Sequence, residues 1–222
     1  MTAADLARRL PSIATVRKLS QSYAVLDAIL SAGEYACYSF DRRWGPHEEL
    51  ASMTNGSGDE YSIVFAAGGV FIRGFDHESP MSPYGDDGYG PWPGLVDSVP
   101  SEFAAYVTEP AFCHDAGTGP FLAATVCLWR GHDDAAWQTG ALDYPETDDP
   151  DGATYLFDLL SAQTPEVYCD YASDYFGRTV DPSDVTAIFD HREITPDLVR
   201  RLNPGIGLAD LAEALDTIGY RC

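Results

Sequence analysis

"DEYSIVFAAGGVFIRGFDHE", residues 59–78, decides the fold. Tyr61, Ile63 and Phe65 alternate along one arm, and Val70 and Ile72 along the other. This period of two sends successive side chains to opposite faces of a β-strand. Between the arms, "AAGG" (66–69) supplies a tight reversal whose glycines tolerate positive φ. A two-residue loop at Ala67-Gly68 and a four-residue loop over Ala66–Gly69 give the same register, with Phe65 opposite Val70 and Ile63 opposite Ile72. Continued past the arms, that register sets Asp59 opposite Asp76, so "NGSG" (55–58) and "HESP" (77–80) leave the sheet side by side.

Facing carboxylates destabilise a strand pair unless something neutralises them. A divalent cation, an arginine such as Arg42 or Arg43, or a shared proton would each suffice. Asn55, Ser57, Asp59, Glu60, Asp76, His77 and Glu78 therefore form one candidate polar cluster at the sheet end. As a metal centre, Asp59, Asp76, His77 and Glu78 would offer carboxylate oxygens and one imidazole, a set suited to Ca²⁺, Mg²⁺ or Mn²⁺. As a contact surface they would face a partner. The expected role is a third one, a hydrogen-bonded network that supports the fold. No metal and no cofactor is expected.

Outward from the hairpin, residues 2–31 read as helix, with Thr2 as N-cap, a break at Pro11, and Ile13, Val16, Leu19, Tyr23, Leu26 and Leu30 at helical spacing up to a stop at Gly33. Tyr35–Phe40 alternates as a strand, and "DRRWGPHEEL" (41–50) reads as a loop carrying two arginines and Trp44. Residues 79–100 hold much of the proline and glycine, a long loop around Tyr84, Tyr89 and Trp92. "PSEFAAYVTEPAF" (100–112) fits a short helix ended near Pro110. "FLAATVCLWR" (121–130) is a continuous apolar run, expected to be a central strand buried on both faces, with a return strand through Trp137 and Leu142. From Thr154 the period turns helical, with starts at Thr164-Pro165, Asp181-Pro182 and Thr195-Pro196 and a last helix after Gly207. The expectation is one α+β domain over 1–222, strand-rich over about 33–145 and helical over about 153–222. An antiparallel sheet with a central hairpin follows an N-terminal helix.

The charge narrows function more than any motif does. Against 35 acidic residues stand 13 basic ones, Lys18 being the sole lysine, for a formal net charge of −22. That field repels nucleic acid and anionic lipid and attracts a basic partner. An Asp-rich bias, 24 Asp to 11 Glu, also suits a high-GC genome or a high-salt cytoplasm. The start lacks an apolar leader and no run spans a bilayer, so a soluble cytoplasmic protein without membrane partners is expected. Five scattered cysteines (37, 113, 127, 169, 222) with no CxxC point to reduced thiols, Cys222 being the most oxidisable.

Catalytic signatures are missing. There is no GxSxG or Walker A loop, and prolines disqualify "GYGPWPG" (88–94) as a dinucleotide loop. "HEEL" (47–50) lacks the second histidine of a zinc protease, adjacent Cys113-His114 seldom point at one another, and His132-Asp133-Asp134 reads as a solvated turn. Trp129 and Trp137 read as core, while Trp44 and Trp92, in loops, are candidates for a binding surface alongside Tyr84.

"YSFDRRW" (38–44) followed by "ASMTNGSGDEYSIVFAAGGVFIRGFDHESPMSPY" (51–84), with the later "LWR", "DPDG" and "LNP", resembles a widespread family of uncharacterised bacterial cytosolic proteins over roughly residues 20–220. The resemblance implies an immunity-protein-like role beside secreted effectors and assigns no catalytic residue. A non-enzymatic binding protein that neutralises a basic toxin is thus the leading expectation. A metal-dependent hydrolase built on Asp59, Asp76, His77 and Glu78 is the alternative, and a regulatory domain with a ligand in the 79–100 loop a third.

Overall fold

The computed structural model describes residues 1–32, 35–85, 89–117 and 119–220. Gly33 as a helix stop, Cys222 and the 86–88 part of the long loop lie outside them. The chain is α+β. Helices α1 (Ala3–Arg9) and α2 (Ile13–Ser31) are followed by strands β1 (Tyr38–Gly45), β2 (Glu48–Thr54), β3 (Glu60–Ala66) and β4 (Gly69–Phe75). After the long loop come α3 (Ala104–Val107), β5 (Cys113–Asp115), β6 (Pro120–Leu122), β7 (Val126–Gly131) and β8 (Gln138–Thr139). The helical end comprises α4 (Ala153–Leu156), α5 (Asp158–Ala162), α6 (Pro165–Phe176), α7 (Pro182–Phe189), α8 (Pro196–Leu202) and α9 (Ala212–Ile218). Two compact units result, one of Met1–Ile13 with Thr54–Ser161, the other of Ala14–Met53 with Ala162–Cys222.

In the first unit the hairpin has the expected register: Phe65 pairs with Val70 and Ile63 with Ile72, Ala66 and Gly69 closing the turn. β7 lies antiparallel on the other side of β4, and β8 beyond it. β4 is therefore the strand buried throughout its length. Gly74 lets a helix close on it, since a Cβ there would stand 2.9 Å from Leu156 Cδ1 and from the Phe157 ring. Tyr61 stacks on Phe157 (centroids 5.0 Å apart), and Phe71 packs on Phe103 and Tyr106. Aromatic contacts of this kind add to the area they remove from water.

The apolar run 121–130 is not one strand. Its start, β6, pairs with β5, and only β7 joins β4. Between them Ala123 turns its carbonyl to the buried Arg73 guanidinium (2.8 Å), and the Thr125 hydroxyl donates to the Asp151 carbonyl (2.7 Å). Continuous apolarity here reports burial rather than a single extended segment. The return strand is likewise shorter than expected. Only Gln138 and Thr139 pair with β7, while Trp137 turns its indole N–H to the Pro11 carbonyl (2.7 Å).

In the second unit α2 carries the expected stripe, with Val16, Leu19, Tyr23, Leu26 and Leu30 buried. "DRRWGPHEEL" is not a loop: its residues lie in β1, in β2 and in the turn between them, with Tyr38 opposite Met53 and Asp41 opposite Leu50. Its charges are accommodated by partners. Arg42 and Arg43 both bind Asp216 of α9 (2.5 and 2.6 Å), and Glu49 takes both ends of Arg17. The three Pro-initiated helices begin where expected. Asp181 and Thr195 cap theirs through the Ser183 and Leu198 amides, while Thr164 is extended but makes no side-chain cap. Among the described residues no helix is long and apolar enough to cross a membrane.

Candidate functional site

The hairpin ladder ends at the pair Glu60–Phe75. Asp59 and Asp76 are the next residues on each arm and meet just beyond the sheet, as the register requires. The loop before β3 is tied by Asn55, whose Oδ1 accepts the amides of Ser57 (2.8 Å) and Asp59 (3.2 Å). Its Nδ2 donates to Asp59 Oδ2 (2.7 Å) and to the Tyr155 hydroxyl (2.9 Å). Asp59 is 5% exposed, and its Oδ1 accepts the His77 amide (3.1 Å) and contacts His77 Nδ1 at 2.7 Å. Both Asp59 oxygens are thus held by protein donors. Arg42 and Arg43 both bind Asp216, and it is the His77 ring that bonds Asp59.

The two facing carboxylates titrate apart. Burial pushes Asp59 up, but the side-chain and backbone bonds from His77, with Asn55, outweigh it and leave Asp59 below the usual carboxylate value. Asp76 rises, through burial first and then through the charges of Asp59 and Asp149, against the Glu78 amide that bonds its Oδ1 (2.9 Å). His77 rises, chiefly because Asp59 bonds its ring. One carboxylate is held below its ordinary value by the bonds from His77 and the other is biased toward the proton, so the two titrate apart.

Asp76 is boxed in from the helical side. Gly152 has φ +74°, and a Cβ there would stand 2.4 Å from the Asp76 Cβ. Thr125 accepts the Asp76 amide (3.2 Å), and the Ser79 hydroxyl reaches the Pro150 carbonyl (2.7 Å). Asp149 caps α4 through the amides of Thr154 and Tyr155 (3.0 and 3.1 Å). Asp151, fully buried, accepts the amides of Ala3 (2.7 Å) and Ala153 (3.1 Å), and burial pushes it up to about 6. One ligand atom each from Asp59, Asp76 and His77 lies within 4.8 Å of the others. Glu78 is not of that group; its Oε1 stands 3.9 Å from His77 Nε2.

The other candidates are scattered. Ser57 is exposed, Glu60 binds Arg73 (2.7 Å), and Trp44 is half-buried in β1. Trp92 is half-buried with its indole N–H on the Asp143 carbonyl (3.1 Å). Cys113 and His114 diverge as strand neighbours do, the thiol toward the Val107 carbonyl and the imidazole toward the Tyr84 hydroxyl (2.5 Å). His132 reaches the Ala66 carbonyl and Asp134 closes the β7–β8 turn through the Gly131 amide.

Two features went unread in the sequence. Tyr84 and Tyr89 do not sit with Trp92 but with Phe121 and His114 of the β5–β6 hairpin, Tyr89 stacking on Phe121 at 5.8 Å. Asp27, on the buried stripe of α2, accepts the hydroxyls of Tyr168 (2.7 Å) and Tyr171 (3.3 Å) and the amides of Cys37 (2.9 Å) and Tyr38 (3.0 Å). A carboxylate four residues after Tyr23 inside an apolar helical stripe was the available signal. No protein-family model, curated protein or solved structure matches this chain.

Proposed function

We propose that the protein is a non-enzymatic binding protein that captures a basic macromolecule, in the manner of an immunity protein masking a cationic toxin. The observation that carries this reading is how charge divides between the units. The unit with the hairpin holds 19 acidic residues against four basic ones (Arg8, Arg9, Arg73, Arg130), a formal −15, and the other unit 16 against nine, a formal −7. Of those four cations, Arg8 is paired with Asp5, and Arg73 is buried against Glu60. The hairpin unit therefore presents an almost uncompensated negative field, which steers a basic partner and repels an acidic one. The internal bonding of Asp59 and His77 supports the same reading, because it uses their polar atoms to close the sheet end. The test is a pull-down of the products of adjacent genes, followed by association kinetics across a salt series. A cognate basic partner associates more slowly as salt rises. An acidic partner, bound without salt dependence, would overturn the reading.

A divalent-cation hydrolase is the second reading, favoured by the spacing of Asp59, Asp76 and His77. There an ion would take the place of the His77 ring proton on Asp59, with one carboxylate as base for a bound water. A Tm raised by Mn²⁺ in the native chain and unresponsive in Asp76→Ala would promote it.

A further inference from the structure

We propose that the aromatic face of Tyr84, Tyr89 and Phe121, edged by His114, is the docking site for an arginine-bearing segment of a basic protein. This rests on the binding reading above and gives it a location. Tyr84 and Tyr89 are 46% and 50% exposed. The other large exposed rings are engaged differently: Tyr155 is bound to Asn55, and Tyr175 is stacked on Tyr171 with its hydroxyl on the Tyr35 carbonyl (3.2 Å). Among the described residues, Tyr84 and Tyr89 are the two large exposed side chains whose rings pack on each other. Tyr84 stands edge-on to Tyr89 (5.9 Å) and to Phe121 (5.5 Å), and Tyr89 lies nearly parallel to Phe121 (12°).

The face is built before any partner arrives. Tyr84 and His114 both pack on Phe75, the buried last residue of β4, at 6.0 and 5.6 Å. The bond between the Tyr84 hydroxyl and His114 Nδ1 orients both rings. A surface whose rotamers are set in advance loses less entropy on binding. Its chemistry selects the occupant. Ring faces carry a negative quadrupole that attracts cations, and they lie in the unit of formal charge −15. Glu60, though paired with Arg73 through Oε1, still acts electrostatically on Tyr84. A planar guanidinium stacks on such faces and sheds water more readily than an ammonium, which favours arginine over lysine. Nucleic acid and a second copy of this chain are disfavoured by the same charge.

The experiment titrates the full chain with nona-arginine and, separately, nona-lysine peptides at about 0.15 M salt, following backbone amide shifts and heat. Shifts centred on Tyr84, Tyr89, His114 and Phe121 are expected, with arginine tighter than lysine. Tyr89→Ala and Phe121→Ala should each weaken the arginine peptide about tenfold, while Tyr175→Ala, in the other unit, leaves it unchanged. Tyr84→Phe, which removes only the bond to His114, keeps the fold and should weaken binding by a smaller factor. The proposal is overturned by absence of binding, by shifts spread over the carboxylates, by equal affinity for the two peptides, or by self-association that Phe121→Ala abolishes. A basic partner from the pull-down that binds Tyr89→Ala and Phe121→Ala undiminished removes the docking face and leaves the basic-partner reading standing. An arginine peptide that binds the face, when no adjacent product binds the chain, does the reverse.

Discussion

Asp27 in the second unit and Asp59 in the first are both buried carboxylates that tie a strand end, yet their chemistry is opposite. Asp27, fully buried, is surrounded by four neutral donors: two tyrosine hydroxyls and two backbone amides. Burial pushes it up to about 6, and the hydroxyl and amide bonds only partly oppose that. Asp59, at the sheet end, is less deeply enclosed, and with an imidazole on one oxygen it stays below its ordinary value. Neutral donors satisfy geometry without supplying countercharge; a cationic partner supplies both.

Removing each carboxylate sharpens the contrast. Asp27→Ala strands four donors inside the protein and should lower stability by about 3–5 kcal/mol in a denaturant titration. Asp59→Ala frees His77 to reach water and should cost about 1–3 kcal/mol. Equal losses would mean that the cage and the clamp contribute alike. Gly152→Ala comes between these limits. Its left-handed φ and the approach to Asp76 predict a loss of about 2–4 kcal/mol, and a neutral outcome would show that Asp76 can move aside freely.

The pH dependence separates the two regions by window. The folded value of Asp27 exceeds its unfolded one, so its contribution improves as pH falls from about 6 toward 3.8. Asp151, also raised to about 6, acts in the same window, so Asp27→Asn should remove only part of the gain. The His77 contribution is full below 6.5 and is lost as pH rises through its raised folded value. The Asp59 contribution is present above 3.8 and is lost as pH falls through its lowered one. A Tm series should therefore show His77→Gln flattening the curve above 6.5 and also weakening the loss below 3.8, because the His77 ring helps to hold Asp59 down. A uniform shift at all pH values would remove the ion pair from the account. The smallest effect belongs to Tyr155→Phe, whose exposed bond to Asn55 should be worth under about 0.5 kcal/mol in the same titration.

Regions differ in legibility for a related reason. Hairpin register and helix starts depend on residues a few positions apart, so Phe65–Val70 pairing, the Asp59–Asp76 juxtaposition and the Pro-initiated helices could all be read directly. "DRRWGPHEEL" misled because charged residues and Gly-Pro resemble a loop, whereas strands accept charges that find partners, here Asp216 for Arg42 and Arg43 and Arg17 for Glu49. The Asp59–Asp76 meeting could be read from register, but the group that bonds Asp59 could not: a cation, an arginine or a shared proton was expected, and the adjacent imidazole of His77 was overlooked.

By itself, then, the sequence determined the α+β class, the hairpin and its register, the meeting of two carboxylates at the hairpin's open end, and an acidic excess that must stay largely solvated. Only the tertiary structure decided that the His77 ring bonds Asp59, that Gly152 closes over Asp76, that tyrosines from α6 enclose Asp27, and that Phe121 completes the face begun by Tyr84 and Tyr89. The physical reason is range. Strand period and capping act over one turn or one pleat, while a buried charge or an exposed ring is governed by whichever groups the whole fold brings within a few ångströms, and spacing along the chain carries no record of that.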